Sequence, residues 1–324
     1  MRVVITGAAG YVGSVLVAEL LKLDCNIIAI DTFWFGENSL IDHPNLKKIK
    51  SDICELDFNN IIMEDDIVVH LACISNDPSF DLDISFSKKI NFEASYKLIN
   101  ICNQKKIKRF IYASSSSVYG LKNTEQVTED LSLEPITPYA FYKAEVEKIL
   151  KNKIWEFDYV ILRPATVCGL SPRLRLDVVV NMLTAQAYFT QKITVFGGNQ
   201  FRPQLHIHDM VSAYILCIFS TSMFQGEIYN VGEKNYTVFE IAQIISQNIN
   251  APVNIVTKDI LDNRSYRLTS KKFLKDKNFS PKYNVQKAIV ELIDFFNKNK
   301  KLNWQDSCYH NVLFCKTLLS NTKL

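Results

Sequence analysis

Tyr139 and Lys143 stand four residues apart in Thr137-Pro138-Tyr139-Ala140-Phe141-Tyr142-Lys143. On a helix that spacing puts both side chains on one face, about one turn apart. Thr137-Pro138 reads as the helix start, a capping hydroxyl followed by proline in the first turn. A phenol is a weak base in water, but a fixed ammonium nearby favours the phenolate and lowers its pKa. Such a base suits removal of an alcohol proton while a hydride leaves the same carbon. Upstream, Ser114-Ser115-Ser116-Ser117-Val118-Tyr119-Gly120 supplies hydroxyls able to bridge the phenol and the reacting oxygen. Tyr-x-x-x-Lys alone is a common pattern, otherwise an aromatic in a helix's first turn. Its weight comes from the company it keeps.

A departing hydride needs an acceptor, and the N-terminus offers a place for one. Gly7-Ala8-Ala9-Gly10-Tyr11-Val12-Gly13 leaves an apolar strand, Val3 to Thr6, and enters a helical pattern from Val12 to Lys22. The first glycine permits a tight turn, the second lets backbone N–H groups approach a pyrophosphate, and the helix N-terminus favours its charge. Tyr11 and Val12 belong to the same expected cofactor contact. Asp31 ends the second strand, where a carboxylate accepts from both ribose hydroxyls and repels a 2′-phosphate. No arginine follows it in Thr32-Phe33. NAD is therefore expected over NADP. Asp52-Ile53, after the third strand, could reach the adenine; Asp52 could equally cap a helix.

The elements that must position these groups follow one rhythm. Short apolar runs at Asn26–Ile30, Leu46–Lys50, Ile67–Ala72, Arg109–Ser114 and Tyr159–Arg163 alternate with helical stretches, one of them near Asn91–Gln104. Near-continuous apolar strands separated by helices indicate a parallel sheet covered on both faces, doubly wound α/β. After Pro164 the pattern loosens. Helices are expected at Val178–Phe189, Val238–Asn248 and Lys287–Asn297, with a short strand Ile193–Phe196 and a turn Gly197-Gly198. The expected organisation is a Rossmann NAD-binding domain over 1–165, with later returns near 203–232. A smaller mixed α/β C-terminal domain is expected over 166–324. Leu302 to Leu324 reads as either packed or frayed.

Hydrophobic residues make up 48% of the 324 and charged ones 22%, with a net charge of +3, an ordinary globular balance. That charge, without a long basic run, argues against nucleic acid as a partner. No apolar run is long enough to span a bilayer, and the first strand begins at once, so neither membrane nor leader is expected. Eight scattered cysteines with no Cys-x-x-Cys pair suit a reduced, cytoplasmic setting.

Taken in order, Gly7-x-x-Gly10-x-x-Gly13, Asp31, Asp52-Ile53, His70-Leu71-Ala72, Asn91, Ser114–Gly120, Tyr139-x-x-x-Lys143, Arg163-Pro164 and Arg202-Pro203-Gln204-Leu205-His206-Ile207-His208-Asp209 resemble the extended short-chain dehydrogenase/reductase family. Within it, the resemblance is to nucleotide-sugar epimerases and dehydratases, from Met1 to about residue 300. It implies Ser115, Tyr139 and Lys143 as the catalytic set. Leu71, Ala72 and Asn91 would lie at the cofactor, Lys143 would also hold the nicotinamide ribose, and Asn91 would support the active-site helix. Asn181, Arg202 and Arg264 would meet a nucleoside diphosphate, since guanidinium forks fit phosphate oxygens. Phe196 would lie beside the base. His206 matches a structural residue; with His208 it alternates on a strand-like segment, no third ligand completes a shell, and no metal is expected. A homodimer through two helices per subunit is implied.

Family members share oxidation at C4 of the sugar. Dehydratases usually carry Asp-Glu immediately after the catalytic Ser/Thr. Here those positions are Ser116, assigned to the substrate, and Ser117, neither of which ionises usefully. Ser117 also departs from the Cys of the GDP-fucose synthase kind. A C4 epimerase working through a transient 4-keto sugar remains, beside a 4-dehydrogenase or 4-ketoreductase and, more distantly, a non-catalytic NAD-binding subunit. Thr166 replaces the family's usual Asn at a substrate contact. Ser75 and Asn76 in Ile74–Pro78 are expected to face substrate, as are Arg173 and Arg175 in Ser171–Asp177, unless these form a solvated loop. This last stretch resembles a subgroup that includes GDP-heptose dehydrogenases.

Overall fold

The computed structural model describes residues 1–122, 124–249, 252–258 and 265–322. The chain divides into two compact units of nearly equal length. The first comprises Met1–Val118, Pro135–Arg163 and Val211–Tyr229; the second comprises Tyr119–Glu134, Pro164–Met210 and Asn230–Leu324.

The first unit is built on a seven-stranded sheet. Its strands are β1 (Arg2–Thr6), β2 (Asn26–Asp31), β3 (Leu46–Lys50), β4 (Ile67–His70), β5 (Arg109–Ala113), β6 (Asp158–Pro164) and, at one edge, β10 (Glu227–Val231). They run in the order β10-β6-β5-β4-β1-β2-β3, and every pair from β3 to β6 is parallel. Reading β3-β2-β1-β4-β5-β6 gives the Rossmann order, with the direction of winding reversing between β1 and β4. Ligands of such sheets bind beyond the carboxyl ends of the strands at that reversal. Val3, Val4, Ile5, Val68, Val69 and Ile111 have no exposed surface, as expected of strands covered on both faces. The helices are α1 (Tyr11–Leu21), the short α2 (Asp77–Phe80) and α3 (Ile84–Lys88), α4 (Ala94–Gln104), α5 (Pro138–Lys151) and α7 (Ile207–Phe219). One π-helical turn, Lys89–Glu93, joins α3 to α4.

The second unit holds β7 (Thr166–Cys168), β8 (Lys192–Phe196), β9 (Phe201–His206), β11 (Lys234–Thr237) and β12 (Asn254–Lys258). These make a three-stranded β11-β9-β7 sheet and a β12-β8 pair. Its helices are α6 (Val179–Thr190), α8 (Val238–Asn248), α9 (Lys271–Lys277), α10 (Val285–Lys298) and α11 (Asn311–Thr322). Val180, Leu183, Ile193, Val195, Ile241, Ile245 and Ile289 form its core.

Three expectations need correction. The second unit is not appreciably the smaller. The boundary near 165 misplaces Tyr119–Glu134, which the second unit claims: Val127 N–H donates to Arg267 O at 2.7 Å and Thr269 N–H to Val127 O at 3.1 Å, while Asn230 binds Glu129 and Val127. The return to the first unit is 211–229, tied there by buried Arg109, which donates to the carbonyls of Cys217, Ser220 and Ser222. Third, His208 is not on the strand. β9 ends at His206 and α7 begins at Ile207; alternating apolar residues had masked the change of period.

Candidate active site

The turn after β1 and the helix it enters are sterically closed to a side chain at Gly7 and Gly13. Gly7 has φ +72°, and a Cβ there would lie 2.7 Å from Ala72 N. A Cβ on Gly13 would lie 2.8 Å from Ala8 O. Gly7 N–H donates to Ile30 O at 2.8 Å, and Leu71 N–H donates to Thr6 O at 3.0 Å. The turn is thus set between the ends of β1, β2 and β4, with Leu71 and Ala72 against it. Gly10 caps α1 without a side chain. Asp31, half-buried at the end of β2, accepts from Ala9 N–H at 2.9 Å and Phe33 N–H at 2.8 Å. A carboxylate has about four acceptor positions, so it can order the turn and still accept from a ribose. These residues fit a dinucleotide: a bare-backbone cradle, a helix N-terminus and a carboxylate beside them. Asp52 closes a turn and caps no helix, its Oδ1 accepting from Cys54 N–H at 2.8 Å. Ile53 is buried core.

The chemical residues sit on α5 and the end of β5. Thr137 caps α5, accepting from Ala140 N–H at 3.2 Å, with Pro138 in the first turn as expected. Lys143 is buried, and its Nζ donates to Ala113 O at 2.7 Å, engaging one of its three donors. The ammonium lies 5.1 Å from the Tyr112 ring centroid and 6.0 Å from that of Tyr139. The Tyr139 ring meets Phe80 edge-on at 6.3 Å. Beyond β5, Ser117 N–H donates to Ser115 Oγ at 3.1 Å, and the two hydroxyl oxygens are 2.8 Å apart. Ser115 and Ser117 are half-exposed, whereas Ser116, expected at the substrate, is buried.

Beneath this surface lies a layer of buried polar groups that sequence reasoning gave no role. One helical turn beyond Lys143, Glu147 accepts from Ser114 Oγ and pairs with Arg163 Nη2, each at 2.5 Å. The side chains of this ion pair are 2% and 1% exposed. It fastens α5 to the ends of β5 and β6. The signal was present: a glutamate at i+4 from Lys143 and an arginine inside an apolar strand imply a buried partner. His70 joins three elements, with Nδ1 2.7 Å from Thr6 Oγ1 and Nε2 2.8 Å from Ser95 Oγ. Burial and the Lys143 charge push its pKa down to about 3, so the ring is neutral.

Asn91 lies in the π-helical turn, accepting from Ile74 N–H at 2.7 Å and donating to Ile74 O at 3.0 Å. Such turns recur at functional sites. Asn91 thus holds the loop after β4 in place. Next in the loop, Ser75 precedes Asn76, which adopts φ 89° and caps α2 by accepting from Ser79 N–H at 2.9 Å. Asp77 accepts from Thr137 Oγ1 at 2.6 Å, tying this loop to the start of α5.

In the second unit, Asn181 is fully buried. Its amide accepts from Gly169 N–H at 2.9 Å and donates to Gly169 O at 3.1 Å and Arg175 O at 2.8 Å. It clamps the backbone of the 169–175 loop. Arg173 is also buried, donating to Asn311 Oδ1. Arg175 pairs with Asp177 at 2.9 Å, so neither arginine forms the solvated loop. Phe196, at the end of β8, is 43% exposed, with Lys258 Nζ 5.8 Å from its ring. Arg202 on β9 donates to Phe201 O. Arg267, missed by the sequence reading, stacks 4.0 Å from the Phe201 ring centroid and is exposed. Thr166 begins β7, paired with Gln204. Arg264 lies outside the described residues. His206 Nε2 is 3.1 Å from Glu291 Oε2 and its Nδ1 accepts from His208 N–H, a structural arrangement.

The model of the NAD-dependent epimerase/dehydratase family matches residues 3–232. The chain belongs to that family. Among its relatives is a Bacillus subtilis protein named as an uncharacterized UDP-glucose epimerase, YtcB, 32% identical over 76% of this chain and 81% of the relative. A Mus musculus dTDP-D-glucose 4,6-dehydratase is 27% identical over 94% and 91%. A solved UDP-glucuronic acid 4-epimerase from Bacillus cereus, in complex with UDP-glucuronic acid and NAD, superposes with a TM-score of 0.84 at 25% identity, covering 92% of this chain and all of that one. The family thus spans both epimerases and dehydratases, and the side chains around Tyr139 must decide between them.

Proposed function

We infer that this family member is an NAD-dependent nucleotide-sugar 4-epimerase. The observation that carries the reading is the segment after β5. Ser115, Ser116 and Ser117 offer hydroxyls and no acid or base, so the catalytic helix contributes one proton-transferring pair, Tyr139 with Lys143. A dehydratase needs an additional acid and base to eliminate water; the serines provide neither. Epimerisation through a ketone needs no more than this pair and the cofactor.

Gly7, Gly10, Tyr11, Val12, Gly13, Asp31, Leu71, Ala72 and Lys143 are the proposed holders of NAD. When bound, NAD supplies the two-electron acceptor for the C4 hydrogen and returns it to the ketone. Tyr139, as phenolate beside the Lys143 ammonium, takes the C4 hydroxyl proton as the C4–H bond breaks and the C4–O bond becomes a carbonyl. Ser115 donates to that oxygen, its own oxygen being held by Ser117 N–H. Rotation of the 4-keto sugar presents its other face, and Tyr139 then gives the proton back as C4–H reforms. Arg173, Arg175, Arg202 and Arg267 are the proposed diphosphate partners, with Phe196 at the base; that a solved relative binds both a UDP-sugar and NAD supports a place for each ligand.

A homodimer is proposed through α4 and α5, whose Tyr96 and Phe141 are 41% and 46% exposed. The proposed setting is the cytoplasm, where its eight cysteines, none of them in a disulfide, would stay reduced; no helix among the described residues is long and apolar enough to cross a membrane.

The test is incubation with UDP-, dTDP-, CDP- and GDP-hexoses, followed by separation of C4 epimers. One pair should approach a common equilibrium from either side without net NADH. Accumulated keto sugar with stoichiometric NADH would make the protein a 4-dehydrogenase instead.

A further inference from the structure

The chain beyond Leu302 lies past the family match, which ends at residue 232. Within the second unit it is firmly placed. Trp304 stacks on Phe189 with ring centroids 6.1 Å apart, and Leu302 and Tyr309 pack on the cluster of Leu174, Leu176, Leu292 and Phe296. Leu176 N–H donates to Tyr309 O at 2.9 Å. Asn311, the first residue of α11, is 7% exposed and engages the loop at two points. Its N–H donates to Asp177 Oδ2 at 2.8 Å, and its Oδ1 accepts from Arg173 Nη2. The other Asp177 oxygen accepts from Arg175 Nε at 2.9 Å. One tail residue therefore joins both loop arginines, directly to Arg173 and through Asp177 to Arg175. Burial opposes ionisation of Asp177, but the Arg175 charge and the Asn311 N–H outweigh it and hold the carboxyl below its usual range.

We propose that the C-terminal tail, through Asn311, is a positioning element for the arginine loop Ser171–Asp177 and sets the affinity for the nucleotide sugar's diphosphate. Asn311 acts through the arginines and does not itself touch substrate. A guanidinium fork recognises phosphate by its plane, so its orientation matters as much as its charge. Leu174 and Leu176, anchored in the core between and beside the arginines, fix the loop backbone; the tail fixes the guanidinium groups. An ordered loop binds without the entropy loss of becoming ordered. This rests on the reading above that these arginines meet a diphosphate.

The experiment measures Kd for UDP, GDP, CDP and dTDP by calorimetry on the full chain, with NAD titrated separately, for wild type, Asn311→Leu and Asn311→Asp. Asn311→Leu keeps the backbone donor and removes the acceptor; Asn311→Asp keeps an acceptor of the same shape. Expected is about tenfold weaker binding of the preferred nucleotide in Asn311→Leu, recovery to within about threefold in Asn311→Asp, and unchanged NAD affinity. Melting temperature is recorded for each. A lower melting temperature in Asn311→Leu with wild-type nucleotide affinity would make the contact merely structural and overturn the proposal. Equal weakening in both variants would also overturn the assigned acceptor role. Failure of wild type to bind any of the four nucleotides would instead sink the nucleotide-sugar reading, and the tail's role with it.

Discussion

The chemical residues of the first unit and the recognition residues of the second are held in place by different means. Tyr139 and Lys143 ride on one helix, fastened by Glu147 to Arg163 and Ser114 and at its start by Thr137 to Asp77. Every fastener is a short side-chain contact to an element of the same sheet unit. In the second unit the arginines lie on a loop whose backbone is gripped by Asn181. Their guanidinium groups are steered from the far end of the chain by Asn311 and nearby by Asp177. A proton transfer needs fixed geometry to fractions of an ångström, which a packed helix provides. A guanidinium must only present its fork to a phosphate, which a loop steered from its flanks can provide.

The largest effect should come from the chemistry itself. Tyr139→Phe is expected to lower turnover about 10³-fold with NAD and nucleotide affinities unchanged; steady-state rates with binding titrations check this. If activity survives near wild type, Tyr139 is not the base. Next comes the support of the helix. Glu147→Ala leaves Arg163 buried without its carboxylate and should destabilise the fold by about 3–5 kcal/mol, measured by chemical denaturation. A much smaller loss would mean the helix is fixed by apolar packing alone, and the contrast with the loop would weaken.

The neutral state of His70 predicts a pH dependence. Its folded pKa is about 3, below its ordinary value of about 6.5. Between these values the unfolded chain binds a proton that the folded chain excludes. Stability from this group is therefore complete above about pH 6.5 and falls by up to about 1.4 kcal/mol per unit as pH drops towards 3. Denaturation at pH 7, 5 and 4 should show a shallower decline for His70→Gln than for wild type. Equal slopes would show that His70 is charged in the fold. The smallest effect is expected at the second unit's surface. Arg267→Ala should raise KM for the nucleotide sugar about tenfold and leave kcat nearly unchanged; an equal fall in kcat would place it at the reacting centre.

What could be read from the sequence follows the range of the interactions. The succession of strands and helices, the glycine turn, Asp31 and the α5 pair are written in short stretches with clear periodicity, and their expected elements agree with the structure to within a few residues. The partners of Asn181 and Arg173 could not be read, because they are not motifs. Arg173 meets Asn311 across 138 positions, and Asn181 serves carbonyl and N–H groups that any residue carries. Tyr119–Glu134 went to the wrong unit for the same reason, since Val127 pairs with backbone near 267–269. The tail beyond Leu302 gave no periodic signal, yet its aromatic residues and one asparagine suffice to place it. Glu147 and Arg163 were readable and passed over: two opposite charges in apolar surroundings, each waiting for a partner.

The central claim is that the hydrogen removed at C4 returns to the same sugar. Its direct test uses the nucleotide hexose that the enzyme turns over, carrying deuterium at C4, in ordinary water. The account predicts both C4 epimers with the deuterium retained at C4 and no accumulation of NADH. Deuterium transferred stoichiometrically to NADH with release of a 4-keto sugar, or a 4-keto-6-deoxy product, would contradict it.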